Sequence, residues 1–224
     1  KLDQSMLSNQ QDVVRNERRQ SIENQPYGLA EEELFHQMFP REHPYHADVI
    51  GSHEDVQAAR LEDVRAFFKR YYAPNNCSLT LAGDFDPAEA KRLIEKYFGT
   101  IARGADVQKP AVSETAINHQ RRVKVTDRVE LPKVFMGWIT PKAFEPGDAE
   151  ASLAARILAA GKASRLYRAM VYEQKIAQTV DAAQNSLALG SVFEVQLTAK
   201  PGHTVEELER SADAEFERLA KSGP

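Results

Sequence analysis

The chain has 224 residues, 42% of them hydrophobic and 28% charged, which gives room for one large domain or two small ones and is ordinary for a folded globular protein. Its 29 Lys and Arg against 33 Asp and Glu leave a formal charge of −4, which excludes a dedicated nucleic-acid binder with a basic footprint. The lone Cys77 excludes an internal disulfide framework, and no run approaches the ~20 apolar residues of a membrane-crossing helix.

The stretch from Lys1 to Gln20 is polar and already helical in pattern, without the apolar stretch of a signal peptide. The chain therefore reads as a piece of a longer polypeptide. Leu2, Met6, Val13 and Glu17 share one helical stripe, with Val14 beside them. Asn24, Pro26 and Gly28 form a turn, and a second helix is expected from Ala30 to about Phe39. Its early Glu31, Glu32 and Glu33 suit the positive end of the helix dipole. Pro40 to Gly51 holds two prolines and should be irregular. Ser52, with Asp55 three residues on, reads as a helix cap. Leu61 to Tyr72 is an amphipathic helix stopped by Pro74. Cys77 to Ala82 alternates with period two and is expected to be a strand, with Cys77 in the core. Pro87 to Phe98 is a helix opened by proline and closed by Gly99.

From Gly104 to Asn118 periodicity is lost, which marks a linker. The pattern then restarts. Strands are expected at Arg121–Thr126, Lys133–Thr140, Gln178–Asn185 and Ser191–Ala199. Helices are expected at Asp148–Ala160, from Ser164 to about Gln174, and at Val205–Lys221. This order gives an α+β class with helices on a mostly antiparallel sheet. The first lobe, with one strand among four helices, cannot satisfy that strand's backbone alone. It reads as truncated, with an edge free to pair with a second copy. The domain reading is 1–104, a linker over 105–118, and a second domain over 119–224.

Few residues offer chemistry. On pattern alone, Glu17 is most simply a partly buried carboxylate paired with Arg18, Arg19 or a neighbour; the sharper reading is a metal ligand or general base on a rigid helix. Glu33 and His36 have an ExxH spacing with no second copy, so a di-iron bundle does not follow. His43, His46 and His53 allow a loop zinc site, since catalytic zinc takes three protein ligands and water, although loop histidines are more commonly turn or surface residues. Arg165, after a helix cap, is expected to anchor that helix end. HxxEH, HExxH, GxSxG, Walker and GxGxxG patterns are all absent.

The segments VVRNERRQSIENQPYG (Val13–Gly28), HPYHADVIG (His43–Gly51), VRAFFKRYYAPNNCSLTLAGDFDP (Val64–Pro87) and GKASRLYRAMV (Gly161–Val171) resemble the pitrilysin/insulinase-type zinc metallopeptidases, which include the mitochondrial processing peptidases. The resemblance covers essentially the whole chain. It implies a two-lobed zinc-dependent endopeptidase acting on peptides or unfolded polypeptides. Two histidines of an HxxEH helix and a downstream Glu would hold the zinc, and the Glu of HxxEH would be the general base. Matching NERR onto the family makes Glu17 the third ligand, turned inward. HxxEH itself is not in this chain, so the resemblance implies one ligand of three, no catalytic residue, and a chain inactive by itself. The positions matching the family's Arg and Tyr substrate grip are Val171 and Gln178, which cannot do that job. A second family half, in the same or another chain, would supply it and close on the substrate, which adds to a sheet edge. Degenerate members of this fold serve as scaffold subunits, which is the rival function. Family habit in bacteria leans to the periplasm or cell envelope.

Overall fold

The structure is a computed structural model that describes residues 2–109, 111, 112, 115 and 117–223. Part of the expected linker, at 110, 113, 114 and 116, lies outside the described residues. The chain forms two compact units, Lys1–Asn16 with Gly51–Ala111, and Glu17–Ile50 with Val112–Pro224. The segment 17–50, which the sequence groups with the first domain, thus packs with the second.

The second unit is built on a three-stranded antiparallel sheet of β1 (Lys133–Thr140), β2 (Ala177–Asn185) and β3 (Ser191–Ala199), in the order β1-β3-β2. The central strand, SVFEVQLTA, is buried along both faces because both are covered, although only the Val195 face is apolar throughout its centre and the other carries Glu194, Gln196 and Thr198 beside Val192. Val195, Leu197 and Ala199 face one way, into a core with Leu158, Leu166, Met170, Leu208 and Ala212. These residues come from α6 (Asp148–Ala159), a π-helical turn (Tyr167–Glu173) with Leu166 just before it, and α7 (Val205–Ser222). The period-two alternation turns Val192 to the opposite face, where it meets Met38 and Phe39 at the end of α2 (Gly28–Met38). Gly137 permits this approach, since a Cβ there would fall 2.7 Å from Met38 Sδ. Tyr27 donates its hydroxyl to the Leu131 carbonyl at 2.7 Å, and its N–H to Asp127 at 2.8 Å, fixing the entry to α2. A capping box opens α7, in which Thr204 Oγ accepts from Glu207 N and Glu207 accepts from Thr204 N.

The first unit is helical. It contains most of α1 (Gln4–Arg18), then α3 (His53–Ala58), α4 (Leu61–Tyr71) and α5 (Pro87–Phe98). Local signals set these helices. Ser52 Oγ accepts from Asp55 N at 3.0 Å, and Asp86 accepts from Ala88 N at 2.7 Å and Glu89 N at 3.0 Å. The Gln11 amide ties α1 to α3 through the carbonyls of Val56 and Ala59, at 2.8 and 2.9 Å.

The α+β architecture follows the sequence reading, but two expected strands do not form. Cys77–Ala82 has no ladder partner, and Cys77, Leu79 and Leu81 are exposed, so Cys77 is not a core residue. An alternating segment becomes a strand only where a second backbone meets it, and the described part of this unit contains no strand. Arg121–Thr126 is likewise unpaired and exposes Val123 and Val125. Side chains hold it: Arg121 bonds the Gln37 carbonyl, and Arg122 grips the Glu209 carboxylate at 2.6 and 2.8 Å. Among the described residues no helix is long and apolar enough to cross a membrane.

Candidate functional site

Glu17 occupies the last turn of α1, and its side chain is exposed. Its carbonyl accepts from Ser21 Oγ at 2.7 Å, but its carboxylate meets no hydrogen-bond or ionic partner among the described residues. The inward orientation expected for it is not observed. The inward position belongs to the next residue. Arg18 is buried, donating from Nη2 to both oxygens of Glu32 at 2.7 and 3.0 Å and from Nε to Glu23 at 3.2 Å. A step of one residue turns a helix by about 100°, so burying Arg18 swings Glu17 away. Bonding and charge from Glu32 first, then from Glu23, raise the Arg18 pKa against the opposing effect of burial. The forked pair pins the end of α1, and the π-helical turn Arg19–Glu23 after it, to α2.

The loop histidines do not form a metal site. Among the described residues no group of three or more His, Cys, Asp or Glu side chains is arranged to hold a metal ion. His43 is buried and accepts from Tyr45 N at Nδ1, 3.0 Å away. His46 donates from Nδ1 to the Phe39 carbonyl at 2.9 Å and stacks on His36, with ring centroids 4.5 Å apart. These contacts fasten a loop. Toward zinc the described chain offers one carboxylate in the Glu17 position, whereas a catalytic zinc takes three protein ligands. The donor set present does not fit the ion by itself.

The positions matched to the family's substrate grip lie in two different settings. Val171 lies against the main core, and Gln178 is exposed at the bulge between Ala177 and Thr179. Arg165 anchors its helix as expected, reaching the Gly223 carbonyl at 3.2 Å and Glu215 at 3.7 Å.

Three buried carboxylates, Asp148, Glu194 and Glu215, were not singled out in the sequence; Glu215 pairs with Arg165 and Arg218. Asp148, at the start of α6, accepts from Ser186 Oγ at 2.6 Å, Gln184 Nε2 at 3.0 Å and Phe144 N at 3.0 Å. These bonds, led by Ser186, hold its pKa below the usual carboxylate value. They also fix a loop in which Phe144 adopts φ +66° with its ring fully exposed. Glu194 on β3 stands opposite Gly137 and Ala183 and accepts from Gln196 Nε2 at 2.8 Å. Burial, with help from the charge of Glu31, pushes its pKa up against its hydrogen bonds and Lys133. The alternation VFEVQL assigns Glu194 to the face opposite Val195, but not its depth.

A family model described as the peptidase M16 inactive domain matches residues 58–224. The chain is 30% identical over 213 residues to zinc protease PqqE of Helicobacter pylori, covering 93% of this chain and 48% of that protein. It thus spans about half the length of that relative. The crystal structure of a protease from Helicobacter pylori superposes with a TM-score of 0.84 at 25% identity, covering 99% of this chain and 54% of that one. A peptidase M16 inactive domain from Pseudomonas fluorescens gives 0.74 at 18% identity, covering 99% and 53%, a likeness of fold. The periplasmic protease PqqL of Escherichia coli (TM-score 0.71, 16% identity, 100% and 25% covered) and a chain of complex III2 from Candida albicans (0.74, 18%, 97% and 51%) share the fold as well. The architecture, the match over 58–224 and the zinc-protease relative agree, and the chain belongs to the M16 peptidase family through its inactive domain.

Proposed function

We propose that this chain is part of a zinc-dependent endopeptidase of the pitrilysin and insulinase type that cleaves peptides or unfolded polypeptides. In this reading Glu17 is one of three zinc ligands. Two histidines and the general base come from another segment of the whole protein, and the chain alone is inactive. Residues 1–104 then descend from the catalytic domain, and 119–224 from a second, non-catalytic one. The observation that carries the reading is an unpartnered carboxylate at Glu17, on a helix end locked by Arg18 and Glu32, in a chain 30% identical to a zinc protease. With one donor present, no chemical step is assigned to this chain. Its contribution is to hold Glu17 and to provide a packed second unit against which a family half, in the same or another chain, closes. A periplasmic or cell-envelope location is supported by the fold shared with a protease described as periplasmic.

The match to an inactive domain favours one rival, a scaffold or assembly subunit of the same fold. The test is metal analysis and peptide hydrolysis on the whole protein and on Glu17→Ala. The enzyme reading expects about one zinc per protein and hydrolysis of unfolded peptides, with most of both lost in the variant. Full zinc and activity in Glu17→Ala would remove the ligand assignment, and a whole protein with neither would leave the scaffold.

A further inference from the structure

The loop at residues 40–50 carries a feature that the peptidase reading does not use. His43 is 5% exposed, and its ring stacks on Phe39 at 4.6 Å between centroids. Because Nδ1 accepts the Tyr45 N–H, the neutral ring must carry its proton on Nε2. That nitrogen is buried and has no hydrogen-bond partner. The site therefore holds a neutral imidazole in one tautomer. A second proton has to land on Nδ1, where it meets the Tyr45 N–H head-on and leaves a charge among rings.

The surroundings offer that charge nothing. Phe39 follows α2, and the loop contributes Tyr45, 5.1 Å away between ring centroids. The sheet side of the same cluster is Val192 and Ile139, with Ile117. Of the carboxylates in this region, Glu33 is turned to His36, 3.9 Å from its Nδ1, Glu42 is exposed, and Asp48 is exposed and accepts from Ile50 N. Arg121 bonds the Gln37 carbonyl, and a further cation would only repel it. Burial alone lowers the His43 pKa from its usual value. The residues beside this ring also fasten the loop. Tyr45 sits edge-on to Phe39 and takes the Leu189 N–H of the β2–β3 turn on its hydroxyl at 3.1 Å. His46 N bonds the His43 carbonyl at 2.9 Å, while its ring lies on His36.

We propose that residues 40–50 form an acid-released strap, in which protonation of the buried His43 ring undocks the loop from the sheet face while the sheet stays folded. The sign follows from linkage. A histidine whose folded pKa is lowered binds more protons when released. Its contribution to docking is present above its free value of 6.5 and is lost as pH falls from there through the folded value. The release uncovers Phe39, Met38 and Val192, the apolar face that the strap and α2 share.

The test is nuclear magnetic resonance on the chain, following the His43 ring nitrogens and amide exchange from about pH 8 to about pH 5. The Tyr45 amide is the reporter, since the His43 ring is its acceptor. The expected result is an Nε2-protonated ring at high pH. As that ring titrates, Tyr45 and its loop neighbours should lose about tenfold or more of their protection, corrected for intrinsic exchange, while the β3 amides keep theirs. His43→Phe keeps a flat ring on Phe39 and removes the titration, so its loop exchange should not change across the range. Loop protection that survives full His43 protonation, simultaneous loss of protection in β3, or an unchanged acid response in His43→Phe would each overturn the proposal.

Discussion

The two units of this chain are made by different means. In the second, Val192, Val195, Leu197, Ala199, Leu208 and Ala212 are fully buried around a sheet whose central strand is covered on both sides. In the first, Leu61 and Ala73 are the buried apolar residues among those described, and Phe67, Phe68, Tyr72, Leu79, Leu81, Tyr97, Phe98 and Ile101 are exposed. Ser52 and Asp86 cap α3 and α5, α3 to α5 have acidic first turns, and α4 has an aromatic ladder with Phe67 on Tyr71 at 4.7 Å, but the described residues of this unit contain no sheet to bury them against. Capping and charge place helices at a few tenths to about 1 kcal/mol each, whereas removing large side chains from water contributes about 25 cal/mol per Å². The first unit has the former without much of the latter. Local signals specify elements, and a second layer is what makes them a domain.

The largest way to break this contrast is a core truncation. Leu197→Ala on β3 should cost roughly 2–5 kcal/mol, read as a shift in the urea midpoint of the sheet signal. Phe68→Ala on α4, 40% exposed, should move the same transition by no more than about 0.5 kcal/mol. Equal effects would mean that the α4 face is packed in solution.

A smaller effect should appear where the first unit depends on its caps. Asp86 accepts two backbone N–H groups at the start of α5. Asp86→Ala should cost about 1 kcal/mol of local stability, with faster amide exchange in α5 and unchanged exchange in β3. Asp86→Asn should recover most of it, because an amide oxygen caps nearly as well. Slower or unchanged exchange in α5 of the alanine variant would show that packing, not the cap, holds that helix.

Much of the second unit was legible because periodicity there coincides with burial. Lys133–Thr140 forms β1 with the bounds its pattern gives, and Ser191–Ala199 does the same as β3. The same alternation failed at Cys77–Ala82 and Arg121–Thr126, because a ladder is a property of two segments, and one of the two cannot be read from its own residues. The NERR run was legible as a place, not as an orientation. Which of two adjacent side chains turns inward depends on what waits there, and Glu32 on a later helix draws in Arg18 rather than leaving room for Glu17. Residues 17–50 joined the second unit for a similar reason. Gly137 opens a gap in β1 into which Met38 and Leu34 fit, and nothing in either segment alone announces the match.

The smallest effect on stability tests what the exposed segment does instead. Leu79 and Leu81 are 58% and 50% exposed on an extended run that no other described backbone pairs with. Replacing both by serine removes apolar surface that is already in water, so unfolding should shift by about 0.5 kcal/mol or less. Association is where the change should show. An unpaired, alternating segment is a template for another chain, so the parent chain should gain mass with concentration in light scattering, and the double serine variant should not. A parent that stays monomeric while the variant is destabilised by several times that amount would show that the segment is covered from within its own unit. The first unit would then be a packed domain, and the contrast with the second would vanish.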